Sequence, residues 1–227
     1  MKFILMLTLL SDTTFARGDG VSGVVDEEIE YDSATGLPYV RGRTLKGLLT
    51  EECANLLYGL ERANAPGLAR LQAAASRLFG EAGSEHEGAG LLHVGAALLP
   101  DDVQQAVREH IQTRDHQKKL TPAEVLDAYT VIRRQTANDL SGAPALGSLR
   151  SARAVIRGTV FNAVLSYNGA DDDRDAVMLL AACVVAVHRA GSTRNRGRGR
   201  LAASLHAENV DLASALTDFE GIARGQS

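Results

Sequence analysis

Two helix-periodic stretches, each flanked by β-prone runs, limit what this chain can fold into. Leu45, Leu48, Leu49, Cys53, Leu56, Leu57 and Leu60 fall on one stripe at helical spacing and predict a helix over 44–58. Val177, Leu180, Val184 and Val187 repeat the pattern through about His188, after Asp171, Asp172 and Asp173 supply a helix start. The β-prone runs cover 2–10, 91–99, 152–167 and 201–206. The order strand, helix, strands, helix, strand predicts an α+β fold, the ferredoxin-like βαββαβ domain with insertions between its elements. No clean linker, fixed-period repeat or low-complexity segment interrupts the 227 residues. A single domain over 1–227 is therefore expected, with insertions at roughly 60–120 and 133–151.

Local signals refine this plan. The turn DSATG lies between EEIEY and LPYV and predicts a hairpin with Gly36 at positive φ. Pro66 suits the first position of a second helix that Gly80 ends. Residues 81–90 read as a polar, glycine-rich surface loop, and Pro100-Asp101-Asp102 as a helix start. Thr121-Pro122-Ala123-Glu124 is a capping box, after which 125–132 fits a helix or a strand. The tail from Glu208 is helical at most. Residues 1–11, MKFILMLTLLS, share a lysine and an apolar run with secretory signals, but DTTFARGDG after them offers no small-x-small cleavage site. The run reads as a buried strand, with a leader as the alternative. No other stretch approaches transmembrane length, and no membrane partner is expected. Cys53 and Cys183 lie in apolar helical patterns and read as small buried hydrophobes in a reducing, cytoplasmic compartment.

The chain has net charge −4, yet its cations cluster. Arg189, Arg194, Arg196, Arg198 and Arg200 are punctuated by Gly191, Gly197 and Gly199. Glycine lets backbone amides approach an anion, and guanidinium forks match phosphate oxygens. The pattern suits a repeating polyanion, with a solvated basic loop as the plain alternative. It is neither a Walker loop nor a dinucleotide fingerprint, because it follows a helix instead of opening one. A second cluster, Arg41, Arg43 and Lys46, sits at the start of the first helix, where cations oppose the dipole unless an anion is bound. Aromatics make up 4% of the chain and tryptophan is absent, which disfavours a nucleic-acid reader of stacked bases but not one that grips the backbone. None of the six histidines stands at a zinc spacing, and His93 within an apolar strand reads as structural. No G-x-S-x-G elbow occurs. Asp26, after a glycine-containing loop, could hold a divalent ion near bound RNA; a solvated surface carboxylate is the plain alternative.

Four stretches carry a family resemblance: TGLPYVRGRTLKGLL (35–49), RLFG (77–80), RRQTANDLSGAPALGSLRSARAVIRGTVF (133–161) and GSTRNRGRGR (191–200). Together they resemble the RAMP superfamily of CRISPR–Cas effector proteins, particularly type III, subtype D, subunits, from Leu7 to about Leu205. The resemblance implies a modified RRM-like fold. It also implies binding to the sugar-phosphate backbone of a CRISPR guide RNA, within a complex of other Cas subunits and copies of this chain stacked along the guide. Arg41, Arg43, Lys46, Arg134, Arg150, Arg194, Arg196, Arg198, Arg200, Gly197 and Gly199 are the RNA-binding residues it implies. Catalytic backbone subunits of the family cut complementary target RNA with an Asp in the loop after the first strand and a divalent metal, Mg or Mn. Asp26 falls there, as catalyst and metal ligand, six residues before Asp32. Glu27 and Glu28 follow it where the family usually has glycine-rich sequence and a small residue or proline. A non-catalytic scaffold and a cap on the guide's 5′ tag are the alternatives.

Overall fold

The computed structural model describes residues 1–20, 25–81, 89–115, 117–136, 148–208 and 210–225. The loop read at 81–90 falls largely outside them, as does most of the expected insertion at 133–151, and so do His86 and His116. In β1 (Lys2–Leu9) alternate residues face the core: Phe3, Leu5, Leu7 and Leu9 are buried, while Lys2 and Ile4 are exposed. After the DSATG turn come α1 (Gly42–Arg62), α2 (Leu68–Phe79), β2 (Leu92–Val94), α3 (Asp101–Gln112) and α4 (Pro122–Tyr129). The chain continues through β3 (Thr130–Gln135), β4 (Arg150–Val155), β5 (Val160–Tyr167), α5 (Arg174–Ala186), β6 (Leu201–His206) and α6 (Leu212–Ala223).

Four strands form an antiparallel sheet in the order β2-β5-β1-β6. Ile4 of β1 stands opposite Val164 on one side and His206 on the other. With α1 after the first of these strands and α5 after the third, this is the expected ferredoxin-like βαββαβ fold. The β3–β4 hairpin is a separate two-stranded sheet inserted between β2 and β5. Helix α5 is buried on every side from Ala176 to Val184, because α1, α2 and α6 pack around it above the sheet. Cys53 of α1 and Cys183 of α5 are free and buried, with their thiols in contact.

Several local expectations are corrected. Helix α2 begins at Leu68 after Gly67 in the left-handed conformation, so Pro66 precedes the helix instead of opening it. The apolar run 91–99 yields only three paired strand residues, followed by isolated bridges at Ala97 and Leu98. His93 is exposed there, on the alternate face from Leu92 and Val94. The run 152–167 is two strands, split where Gly158 turns the chain at φ 89. The ambiguous stretch after the Thr121–Glu124 capping box is helix to Tyr129 and strand from Thr130. Gly36 has φ 76, and a Cβ there would stand 1.9 Å from the Pro122 carbonyl oxygen, so the turn packs directly on the start of α4.

One polar network locks α2, β5 and α5 together. Arg77 donates to both oxygens of Asp173 at 2.8 and 2.9 Å, Tyr167 Oη donates to Asp173 at 2.6 Å, and Asp173 caps α5 by accepting from Ala176 N at 3.1 Å. The Arg77 guanidinium holds the Asp173 carboxyl down at about 2, from an ordinary value of 3.8. A carboxylate lowered in the folded state stabilises above its unfolded value and loses that contribution as pH falls through the folded one. Asp173→Asn is expected to destabilise the protein by on the order of 2 kcal/mol at neutral pH, allowing for the partial exposure of Arg77. Urea midpoints should show the gap from wild type closing as pH drops from 3.8 toward about 2.

Candidate nucleic-acid interface

The loop after β1 reaches the inserted hairpin through backbone and side-chain bonds. Thr13 exchanges backbone hydrogen bonds with Val155, and Arg153 N donates to Glu27 O at 3.0 Å. Asp26 N and Glu27 N both donate to Ser151 O, at 2.9 and 3.1 Å. Beside them, the Glu28 carboxylate is buried and accepts from Arg153 Nε at 3.0 and 3.2 Å and from Ile29 N at 2.9 Å. Arg153 is also buried and donates to Thr130 Oγ1 at 3.1 Å. Glu28, which departs from the family pattern, is therefore a structural anchor of this loop.

Asp26 itself is exposed. Its Oδ2 accepts from Ser151 N at 2.6 Å and Ser151 Oγ at 3.0 Å. The backbone and then the hydroxyl donor of Ser151 hold its carboxyl below the usual range, with help from the charge of Arg150. Asp26 lines a small cleft with Glu27, Arg133, Arg150, Ser192 and Thr193 among its neighbours. Strand pairing explains part of the grouping: Arg150 stands opposite Gln135, and Ser151 opposite Arg134. Arg133, Ser151, Ser192 and Thr193 were not singled out in the sequence, and Glu27 stood there only as a departure from the family pattern. The long-range pairing that gathers them has no local signature, although the positive φ of 62 at β-branched Thr193 marks the spot once coordinates exist.

The basic loop between α5 and β6 closes the other side of the cleft. Arg194 is committed within the protein, donating to both oxygens of Glu51 on α1 at 2.9 and 2.6 Å. With the Gln135 amide oxygen facing it, Arg198 donates to that oxygen at 2.9 and 3.1 Å. Arg196 and Arg200 are exposed, with no ion-pair partner among the described residues. A Cβ at Gly199 would meet Ala190 O at 2.1 Å, whereas the space above Gly197 is open. Gly199 is thus required by packing, and Gly197 leaves backbone free for a ligand.

At the start of α1 the first turn has neither a side-chain cap nor an acidic residue. Arg41 is the N-cap and is ion-paired with Glu30. Lys46 Nζ donates to Leu92 O at 3.1 Å and keeps two further N–H groups. Arg43 is exposed and unpaired among the described residues, as are Arg134 and Arg150. Glu51, where Arg194 docks, lies about 13 Å along the helix from its first residue, so the two cationic clusters are linked through α1.

The oxygens at the cleft suit a hard divalent cation. Thr14 Oγ1, Glu27 Oε2 and Thr193 Oγ1 are buried without hydrogen-bond partners among the described residues, and all three residues line the cleft with Asp26. Among the described residues no three His, Cys, Asp or Glu side chains gather in one group.

Four antiparallel strands in the order β2-β5-β1-β6, with α1 and α5 following the first and third of them along the chain, define an RRM-like α+β protein. The family model of the RAMP superfamily matches residues 7–202, and the chain belongs to that superfamily. No curated protein sequence matches it. Its fold is similar to a chain of the type III-B Cmr-beta complex bound to cognate target RNA, at 11% identity and a TM-score of 0.61, covering 95% of this chain and 99% of that one. The apo Cmr-beta complex contains a chain at 13% identity and TM-score 0.62, with 92% and 99% covered. A type IV-B CRISPR complex contains one at 16% and 0.59, with 93% and 92% covered. At these identities the likeness is one of fold.

Arg153→Met leaves the Glu28 carboxylate buried and alone, and should destabilise the protein by about 3 kcal/mol. Combining it with Glu28→Gln should recover much of that loss. Urea denaturation of both single variants and of the double variant checks the coupling, and additive losses would mean that the pair does not act as a unit.

Proposed function

We propose that this chain is a guide-RNA-binding backbone subunit of a type III CRISPR effector complex that cuts complementary target RNA at Asp26. The observation that carries the reading is the shared cleft: Asp26, the hairpin residues Arg133 and Arg150, and Ser192 and Thr193 of the basic loop line one space. Superfamily membership supports it, as does the fold likeness to a complex bound to cognate target RNA. Its partners are guide RNA, complementary target RNA, other Cas subunits and copies of itself joined head to tail, in the cytoplasm. A head-to-tail contact repeats along a strand, whereas a two-fold contact would close into a dimer.

Arg43, Lys46, Arg134, Arg150, Arg196 and Arg200 hold phosphates without reading bases, which suits a subunit that accepts any guide sequence. Arg41, Arg194 and Arg198 add field while fixing the shape of the surface, and Gly197 and Gly199 let the loop backbone come close. Asp26 stays ionised and offers its second oxygen, with Glu27, to a divalent ion such as Mg or Mn. That ion, when bound, lowers the pKa of a water or hydroxyl and stabilises negative charge at the phosphorus. Arg150 offsets phosphate charge beside Asp26, and Arg133, ion-paired with Asp12, shapes the wall of the cleft. A scaffold without cleavage is the second reading, favoured by the lack of a third metal-binding side chain among the described residues.

RNA binding should be independent of sequence and fall about a thousandfold between roughly 50 and 200 mM salt if six or more phosphates are contacted. Lys46→Glu and Arg196→Glu should each lower guide retention by the assembled complex. A flat salt response, or full retention by both variants, rejects the electrostatic grip.

Cleavage should occur at regular intervals along target RNA and stop with EDTA. Asp26→Ala should abolish the cuts and leave guide binding intact. Cuts persisting at the same positions in that variant would leave this chain as a scaffold.

A further inference from the structure

Asp26 is the exposed carboxylate of a surface loop, and such a group ordinarily samples several rotamers. Here Ser151 grips it on both its backbone and its side chain. Ser151 O accepts from Asp26 N at 2.9 Å, while Ser151 N and Oγ converge on Oδ2 at 2.6 and 3.0 Å. The hydroxyl also lies within 3.1 Å of Asp26 N. No hydrogen bond holds Oδ1 among the described residues. The neighbouring Glu27 makes the contrast: its Oε2 is buried with no partner among the described residues.

Ser151 is itself held firmly. It lies in β4, opposite Arg134, and Arg153 two residues further on is locked to Glu28. Serine is a weak strand former because its hydroxyl competes for backbone groups. At this position the hydroxyl is spent on the loop across the cleft.

We propose that Ser151 is the positioning residue of Asp26, immobilising one carboxylate oxygen so that the other is presented to the cleft in a single orientation. The proposal rests on the reading of Asp26 as the cleaving residue. It gives the inserted hairpin a direct part in the chemistry: β4 supplies the orientation and the loop after β1 supplies the charge.

Ser151→Ala removes the hydroxyl and leaves the 2.6 Å backbone bond, so the loop stays docked while the carboxylate, held at one point instead of two, is free to turn about that bond. Two readouts test the variant. Scalar couplings of the Asp26 β-protons in the full chain report whether χ1 occupies one rotamer or several. Single-turnover cleavage by the assembled complex reports the consequence. Wild type and Ser151→Thr should show one rotamer. Ser151→Ala should show averaged couplings and cut about 10-fold more slowly, with KM for target RNA and guide retention unchanged. Ser151→Cys, nearly isosteric and a poor donor, should behave like Ser151→Ala and stands in if the alanine variant fails to fold. One fixed rotamer in Ser151→Ala, or averaged couplings already in wild type, overturns the proposal. If Asp26→Asn complexes still cut at the same positions, the catalytic reading fails, and the couplings alone decide whether Ser151 orients Asp26.

Discussion

The geometry of the cleft depends on the buried pair of Glu28 and Arg153. Their side chains are 2% and 11% exposed, so both charges have left water and each is tolerable only because the other is there. Thr130 Oγ1, Ile29 N and the exposed carboxylate of Asp127, 3.4 Å from Arg153 Nη1, complete the bonding. Because the pair is intolerant of slippage, the loop after β1 meets β4 in one register, and Asp26 is delivered to Ser151. An apolar contact in its place would hold the two segments together without fixing which residue faces which.

Charge in this protein divides into two kinds. Arg41, Arg133, Arg194 and Arg198 are engaged with Glu30, Asp12, Glu51 and Gln135, and they shape the surface. Arg43, Arg134, Arg150, Arg196 and Arg200 are exposed without ion-pair partners among the described residues. The first group braces the surface, with Arg133 in the cleft wall, and the second supplies donors that face solvent. A chain of net charge −4 can therefore present a positive face, since local field decides what approaches it.

Much of the fold was legible because it rests on periodicity. The stripe Leu45, Leu49, Cys53 and Leu60 is the buried face of α1, and the alternation of Phe3, Leu5, Leu7 and Leu9 is the buried face of β1. The Thr121–Glu124 capping box formed as read. The misreadings fall where apolar content was uniform. In 152–167 nothing local distinguished one long strand from two until Gly158 was seen at positive φ. In 91–99 the apolar run overstated the strand, because burial there comes from neighbouring elements as well as from pairing.

The candidate site shows the same division more sharply. Arginine, glycine and aspartate types, their clustering and their order along the chain are written in the sequence, and these point to a polyanion and place Asp26 in the loop after the first strand. Which arginines remain free was decided by tertiary structure, since Glu51 lies 143 residues from Arg194 and no local pattern pairs them. The partner of Asp26 was decided the same way: Ser151 is 125 residues distant and unremarkable in its own segment. Short-range preferences determine elements because a helix or strand is stabilised by residues a few positions apart. A carboxylate's hydrogen bonds across an insertion arise only when the chain has folded and the register of two distant segments is set.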